Sequence, residues 1–474
     1  MDEATSEARF EAYVEALVSV IGHADRARPL KEYCAGLLLP VERKSVEPMA
    51  AALDPERTAA RHQSLLHFVG QAAWSDEKVL ARTRALVLPA LTRDAPIRAW
   101  IVDDTGFPKQ GKHSVGVAHQ YCGERGKQEN CQVAVTLSVA NDRGSLPVAH
   151  RLYLPESWAS DPERRRKAGV PLEVVFKTKP EIALDQIKAA LHAGVPQGAV
   201  LADAAYGNHH AFRSELRALG LSYALGILST TSVWAPGAGP SAKKAWTGRG
   251  RPTSRLRRDG AHRPLSVRAL AMSLPARAYK TVTWREGTNE ALTSRFAAIR
   301  VRPAHRDHER SEPHAVEWLL IEWPKGDKEP AKYWLSTLPE TTPLKELVDL
   351  AKLRWRIERD YQDLKQEIGL GHYEGRSWRG FHHHATLAIA AYGFLIAERE
   401  TIPPSAAEIP KAPRLSKVRP PRGSPHPHRT ACPQFAGDGP ETPQHRHRSA
   451  ARQVSVLYTD DLRATQKTIA FVTQ

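Results

Sequence analysis

A run of short β-type segments between residues 96 and 203 most constrains the fold of this chain. The strings IRAWIVDD, VGVAHQYCG, NCQVAVTLSVAND and LPVAHRLYLP are separated by Gly, Asn and Asp turns, which is typical of consecutive antiparallel strands. A helical segment at 181–193 and one more strand, which ends before Asp203, follow them. Antiparallel strands that lead into alternating helix and strand predict an α/β core.

Two of these strands are predicted to end in carboxylates. The apolar run of the first strand leads into Asp103 and Asp104, after which the string TGFP is expected to break the strand. The run AVLA leads in the same way into Asp203. A single Asp at a strand end is most often a turn-capping residue. Two or three converging carboxylates, however, are enough to hold Mg²⁺, which prefers hard oxygen ligands and takes few of them from protein.

The segment LRWRIERDYQDLKQEIGL, residues 353–370, is predicted to be an amphipathic helix. Its apolar residues recur every three or four positions and form a stripe that can bury against a core: Leu353, Ile357, Tyr361, Leu364 and Ile368. Arg354, Glu358 and Lys365 fall together on the adjacent face. An ordinary solvated face with an Arg–Glu pair would give the same pattern. Beside the two Asp sites, however, Glu358 becomes a candidate third carboxylate.

The order of these carboxylates resembles that of a known family of enzymes. Asp103, Asp203 and Glu358, with the spacing R-x3-E-x6-K from Arg354 to Lys365, resemble the DDE-type transposases of bacterial insertion sequences. The strings DDTGFPKQG, LADAAYG, YWLSTLP and RWRIERDYQDLKQEIGL look like the insertion-sequence family 701-like members of the cut-and-paste branch. This resemblance covers most of the chain from about residue 10 to about 400.

The resemblance implies an α/β fold with a ribonuclease H-like catalytic core and a β-rich insertion. An all-helical N-terminal domain would precede the core, and a disordered basic tail would follow it. The predicted divisions are 1–95 for the helical domain, 96–229 and 341–400 for the two parts of the core, 230–340 for the insertion, and 401–474 for the tail. The tail is rich in Pro, Arg and His and has too few apolar residues to form a core. A shifted reading frame near its end is an alternative explanation of its composition.

The resemblance also implies a metal-dependent site. Asp103, Asp203 and Glu358 would be the catalytic residues and the ligands of two Mg²⁺ ions, with Mn²⁺ as a substitute. Asp104 is the alternative first ligand, because only one of two adjacent strand residues can face the site. The family's usual D-x-T spacing to Thr105 favours Asp103.

The charge of the chain predicts a polyanionic partner. Its 68 Lys and Arg residues outnumber its 52 Asp and Glu residues, which gives a net charge of +16 with His neutral. Candidate DNA contacts are Arg354, Lys365, Tyr361, Lys109, Arg43 and Lys44. Tyr361 is included because related transposases often carry a Tyr at the position of Ala351. The triplet His382, His383 and His384 is expected to follow a helix and meet DNA phosphate or solvent.

These observations predict a transposase that cleaves DNA at insertion-sequence ends and transfers the strands into target DNA. Double-stranded DNA would be its partner, with a homodimer on paired ends, no membrane contact, and a location in the bacterial cytoplasm at the nucleoid. Two alternatives remain: a nuclease with the same metal core that joins no strands, and a catalytically dead, transposase-derived DNA-binding protein. The helical domain would contact the DNA ends or, alternatively, serve only as a cap on the core.

Overall fold

Helices form the first part of the computed structural model, which describes residues 5–241, 255–256, 263–285 and 292–401. They are α1 Ser6–Val18, α2 Ala27–Leu38, α3 Val46–Leu53, α4 Thr58–Gly70 and α5 Asp76–Leu91. The local sequence explains where two of them begin. The Thr5 side chain accepts a hydrogen bond from the Ala8 N–H, and the Ser75 side chain accepts one from the Lys78 N–H.

The strands form one mixed sheet. They are β1 Ala99–Pro108, β2 Ala118–Cys122, β3 Lys127–Ala140, β4 Ser145–Leu152, β5 Ala199–Ala202, β6 Tyr223–Ile227, β7 Ser232–Trp234, β8 Leu265–Ser266, β9 Lys280–Arg285, β10 Leu292–Pro303, β11 Glu317–Trp323 and β12 Lys332–Ser336. Their order is β2, β3, β1, β5, β6, β12, β11, β10, β7 and β8, with β4 paired to β3 and β9 paired to β10. β1 is antiparallel to β3 and parallel to β5, which is parallel to β6. The predicted α/β class is therefore confirmed.

Strand β1 does not end at its two aspartates. It pairs with β3 along its whole length, as far as Pro108 opposite Cys131. Proline is tolerated there because it is the last residue of the strand and lacks only its own N–H. The prediction that TGFP breaks the strand is wrong. Asp103 and Asp104 therefore lie inside a strand, where successive side chains point to opposite faces.

Helices connect and cover the strands of the core. They are α6 Glu156–Ala159, α7 Pro162–Ala168, α8 Lys179–His192, α9 Ala204–Gly207, α10 His210–Ala218, α11 Val267–Ser273, α12 Leu344–Leu353, α13 Trp355–Gln366 and α14 Trp378–Thr401. Helix α8 leads from the antiparallel strands to β5. Its start is fixed by Glu181, whose carboxylate accepts a hydrogen bond from the Thr178 N–H at 2.7 Å.

The segment inserted between β6 and α12 continues the core sheet. Its last strand, β12, pairs antiparallel with β6, with Ser336 opposite Ala224 and Tyr333 opposite Ile227. Strands β11, β10 and β9 follow on the outer side. The described part of the insertion is thus rich in β-strands and shares its hydrogen bonding with the core.

The segment at 353–370 is not one continuous helix. Helix α12 ends at Leu353 and α13 begins at Trp355, so Arg354 is the C-cap of one helix and the N-cap of the next. The predicted apolar stripe is nevertheless buried: Ile357 is 1% exposed and Leu364 is fully buried. The apolar residues therefore pack as their spacing predicted. Arg354, between the two helices, turns its side chain toward the sheet, where it contacts Asp103.

Helix α14 is buried on nearly all sides. It packs against α1, α2, α4 and α5 on one side and against β4 on the other. The Tyr13 hydroxyl donates a hydrogen bond to the Ala390 carbonyl at 2.8 Å, and Arg9 pairs with Glu398 at 2.8 Å. Apolar residues of α1–α5, α14 and the sheet belong to one continuous core.

The prediction that His382, His383 and His384 follow a helix and meet phosphate or solvent is wrong. All three lie inside α14 and are at most 6% exposed. The ring nitrogens of His383 contact the carbonyls of Val69 and Trp74 at 3.1 and 3.0 Å. Burial lowers the pKa of His383 and of His384 to about 4, which keeps both rings neutral.

In the described part of the chain, no helix is both long and apolar enough to span a membrane. The predicted tail lies outside the described residues from 402 onward.

Candidate active site

Asp103 lies on β1, and Asp203 follows directly after β5, the strand that pairs parallel with β1. β1 pairs with β5 in a register that sets Ile101 opposite Leu201, and the same register continued by two residues brings Asp103 beside Asp203. Asp203 immediately follows β5 and caps α9, where its Oδ1 accepts a hydrogen bond from the Ala205 N–H at 2.9 Å. Two carboxylates therefore meet where β5 ends.

Glu358 is joined to Asp103 through a shared arginine. Arg354 donates from Nη1 to Asp103 Oδ2 at 2.6 Å and from Nη2 to Glu358 Oε1 at 2.6 Å. The side chains of Asp103 and Arg354 are only 20% and 24% exposed, whereas that of Glu358 is 61% exposed. The cluster is thus closed at the sheet and open to solvent at the helix, which gives a large substrate access to it.

The negative charges of several carboxylates act on Asp103, and the positive charge of Arg354 opposes them. Burial raises the pKa of Asp103; Arg354 opposes that rise, while Asp203, Glu358 and Asp104 add to it. The pKa of Arg354 is raised because the attraction of these carboxylates outweighs the effect of burial. Asp103 therefore lies within electrostatic reach of both of the other predicted catalytic carboxylates.

Asp104 has other partners. Its carboxylate accepts hydrogen bonds from the Tyr206 hydroxyl and from Lys179 Nζ, the latter at 2.6 Å. Asp103, and not Asp104, is the residue in contact with Arg354. No sequence pattern singled out Lys179, and Tyr206 stood out only as part of the string LADAAYG. Both side chains hold Asp104 in place beside the carboxylate cluster.

The cluster is compatible with a divalent metal, although its present arrangement is not a formed metal site. Among the described residues, no group of three or more His, Cys, Asp or Glu side chains is arranged to hold a metal ion. Between Asp103 and Glu358, the position of a cation is taken by the guanidinium of Arg354. Hard carboxylate oxygens that already attract a cation are the ligands Mg²⁺ prefers, so the donor set fits.

Lys365 and Lys109, two predicted DNA contacts, lie on the side of the site toward which β1 continues. Lys365 Nζ donates to the Gly106 carbonyl at 2.5 Å and pairs with Glu124 at 2.7 Å. Lys109 Nζ donates to the Tyr373 carbonyl at 2.7 Å. Burial lowers the pKa of Lys109. The two amines thus tie α13 and the segment after it to β1 and to the residue that follows β1.

The remaining predicted DNA contacts differ in accessibility. Tyr361 is only 8% exposed, and Lys44, 4% exposed, donates from Nζ to the Leu37 carbonyl at 2.6 Å. Burial lowers the pKa of Lys44 to about 8. The structure presents neither side chain to a DNA backbone, which corrects the prediction for these two residues. Arg43 is exposed and forms an ion pair with Glu374.

Comparison with known proteins agrees with this geometry. The sequence profile described as DDE superfamily endonuclease matches residues 16–291, more than half of the chain and including Asp103 and Asp203. The chain is also 32% identical over 199 residues to the probable transposase for insertion sequence element IS701 of Microchaete diplosiphon. That alignment covers 42% of this chain and 48%, about half, of the relative. The chain therefore belongs to the DDE superfamily of endonucleases.

Proposed function

We propose that this protein is a transposase that cleaves DNA at the ends of an insertion sequence and joins the freed ends to target DNA. The observation that carries the proposal is the pairing of Arg354 with both Asp103 and Glu358, carboxylates from distant parts of the chain, with Asp203 within electrostatic reach of the same guanidinium. The similarity to a probable transposase for an insertion sequence supports the same function. Double-stranded DNA is the proposed substrate.

The proposed catalytic core is ribonuclease H-like and spans residues 96–229 and 341–400. The strand order β3, β1, β5, β6, antiparallel at first and then parallel, supports this assignment. The insertion at 230–340 widens the same sheet through β12. We propose that the helices before residue 96 chiefly cap this core, because they share its apolar interior through α14.

Asp103, Asp203 and Glu358 would hold two divalent ions, Mg²⁺ or Mn²⁺. Such ions activate an attacking water or 3′-hydroxyl and stabilise the leaving oxygen of an in-line displacement at phosphorus. Arg354 would then exchange its carboxylate partners for a DNA phosphate, since its planar guanidinium binds both groups with the same geometry. Glu358, the exposed member of the cluster, is the carboxylate free to adjust its position.

Replacement of each carboxylate by its amide tests this proposal. Asp103→Asn, Asp203→Asn and Glu358→Gln should each abolish Mg²⁺-dependent cleavage of duplexes taken from the DNA that flanks the gene, because the amides keep the shape but lose the charge that recruits the ions. Binding of the same duplexes, measured by fluorescence anisotropy, should stay near that of the unaltered protein. Asp327→Asn, an exposed carboxylate in the insertion, is the matched control and should cleave normally.

The outcomes separate the proposed function from its alternatives. If the unaltered protein binds these duplexes but never cleaves them with Mg²⁺ or Mn²⁺, it is a DNA-binding protein without catalysis. Cleavage without joining of pre-cut ends to a target plasmid would identify a nuclease. Full cleavage by the Glu358→Gln protein would remove that residue from the mechanism, and loss of cleavage in Asp104→Asn alone would reassign the first ligand.

A further inference from the structure

A groove of about 610 Å³ lies beside the candidate active site and is lined by basic residues. It is bounded by α4, the loop after β1, helices α6 and α7, and the segment between α13 and α14. Its charged and imidazole side chains are Lys112, Arg164, Lys167, Arg376, His67 and His113. No Asp or Glu is among the lining residues, so the groove presents positive charge only.

Two of its cations are available for a ligand. Lys112 and Arg376 are exposed, and no ion pair joins either of them to a carboxylate in the described ranges. Arg164 is fixed at the groove wall by two contacts. Its guanidinium stacks 3.7 Å above the ring of Trp158, and its Nη2 donates a hydrogen bond to the Lys112 carbonyl at 2.8 Å. Lys167 is exposed and shares an ion pair with Glu163 on the same helix.

A second groove of about 540 Å³ differs from the first in how its cations are paired. It too is lined by cations, but four of its five, Arg98, Arg143, Lys345 and Lys352, form ion pairs with carboxylates. Arg98 pairs with Asp142 at 2.5 Å, and Lys345 pairs with Asp349 at 2.6 Å. An anionic ligand there would have to displace ion pairs that the protein already makes. In the first groove, an anionic ligand can bind Lys112 and Arg376 without displacing an ion pair of the described residues.

The first groove is connected to the candidate active site by the two elements that build the site. β1 carries Asp103 and ends at Pro108, and the next residue, Lys109, donates from Nζ to the Tyr373 carbonyl at the groove wall. Helix α13 carries Glu358 and leads to the same segment.

We propose that this groove binds the sugar-phosphate backbone of duplex DNA outside the candidate active site. Cleavage of the bound DNA rests on the proposed function, whereas the binding itself does not. Cations without a neighbouring carboxylate in the lining suit contacts to phosphates, which position DNA independently of its sequence. Lys112 and Arg376 would each contact a phosphate, with Arg164 supporting the loop that carries Lys112.

The test is DNA binding by the full chain in which both available cations are removed. The double variant Lys112→Gln/Arg376→Gln is compared with Lys78→Gln/Arg166→Gln, which removes one exposed Lys and one exposed Arg that do not line the groove. The probe is a fluorescent duplex of random sequence, about 30 base pairs or three helical turns. Anisotropy titrations at several salt concentrations give the affinity and its salt dependence.

The groove variant should bind on the order of tenfold more weakly than the unaltered protein, and its slope of log affinity against log salt should fall by about 1.8, close to 0.9 for each lost phosphate contact. The control variant should keep the slope of the unaltered protein. Equal slopes for the groove variant and the unaltered protein, with both melting normally, would refute the inference. An equal loss in both variants would also refute it, because general charge would then explain binding. Absence of cleavage by the unaltered protein would overturn the proposed function and leave this result intact.

Discussion

Arg354 supplies the positive charge that the candidate active site needs in the absence of any other cation. Asp103 and Glu358 both bind its guanidinium at 2.6 Å, and Asp203 lies within electrostatic reach. Without that guanidinium, three carboxylates would repel one another in a partly buried place, which disfavours their ionised forms. The arginine therefore stabilises the folded site by pairing with carboxylates that would otherwise need another cation.

Replacement of Arg354 should make the stability of the protein depend on divalent metal. Arg354→Gln removes the bridge and should cost about 2 kcal/mol, less than for a fully buried pair because the side chains are partly exposed. Added Mg²⁺ should restore part of this loss and raise the melting temperature of the variant more than that of the unaltered protein. Thermal melting with Mg²⁺ or with EDTA measures the difference.

The control for this prediction is Arg268→Gln, which breaks the exposed ion pair with Glu329. It should change the melting temperature little, with or without Mg²⁺. A response of the Arg354→Gln protein to Mg²⁺ no larger than that of the control would mean that the carboxylates do not bind the ion when the arginine is absent.

The sequence predicted the carboxylates of the site better than their surroundings. Apolar runs and helical spacing singled out Asp103, Asp203 and Glu358 as candidates, although Asp103 lies inside β1 and not at its end. The bridge of Arg354 to Asp103 joins residues 251 positions apart, and no local pattern encodes such a contact. The burial of Lys44 escaped prediction for the same reason, since its amine binds carbonyls of α2 and of the segment after α13.

At the scale of elements, α13 carries the candidate catalytic residue Glu358 and also buries acidic side chains. Its apolar stripe was predictable from the spacing of Ile357, Tyr361 and Leu364, but the burial of Asp360 was not. Asp360 Oδ1 accepts hydrogen bonds from Ser145 Oγ at 2.7 Å and from the Tyr392 hydroxyl at 3.0 Å. Burial raises its pKa to about 6, against the lowering effect of these two hydrogen bonds. Its protonated form is thus favoured by the fold.

Asp360 should make the protein less stable as pH rises through the weakly acidic range. A carboxyl whose pKa is raised on folding stabilises the protein below its unfolded pKa, near 3.9, and loses that contribution as pH rises toward about 6. The neutral Asp360→Asn variant cannot show this loss. As pH rises from 4 to 7, the free energy of unfolding of Asp360→Asn, measured with urea, should therefore increase relative to that of the unaltered protein by up to about 3 kcal/mol. Parallel curves would mean that Asp360 stays ionised in the fold.

At the scale of the whole molecule, α14 joins the N-terminal helices to the sheet. The string FHHHATLAIAAYGFLIAE has no polar face for solvent, which is typical of a helix buried all round. The histidines obscured that pattern, because their burial depends on carbonyls of distant residues such as Val69 and Trp74. A separate N-terminal domain would need its own apolar interior, whereas α1–α5 share one with the core.

A crowded glycine in α14 provides the test of that shared interior. A Cβ at Gly393 would lie 3.1 Å from methyl groups of Thr83 and Val87 and 3.3 Å from the Tyr13 hydroxyl. Gly393→Val should therefore push α14 away from α1 and α5 and cost about 1–3 kcal/mol. Because the core is continuous, hydrogen exchange followed by mass spectrometry should show faster exchange in α1–α5 and in β1, β3 and β4 together.

Gly70→Val is the matched control, since a Cβ at Gly70 in α4 meets no atom within 4 Å, and it should change stability by no more than about 0.5 kcal/mol. Faster exchange confined to α1–α5 in the Gly393→Val protein would show instead that these helices unfold as an independent domain.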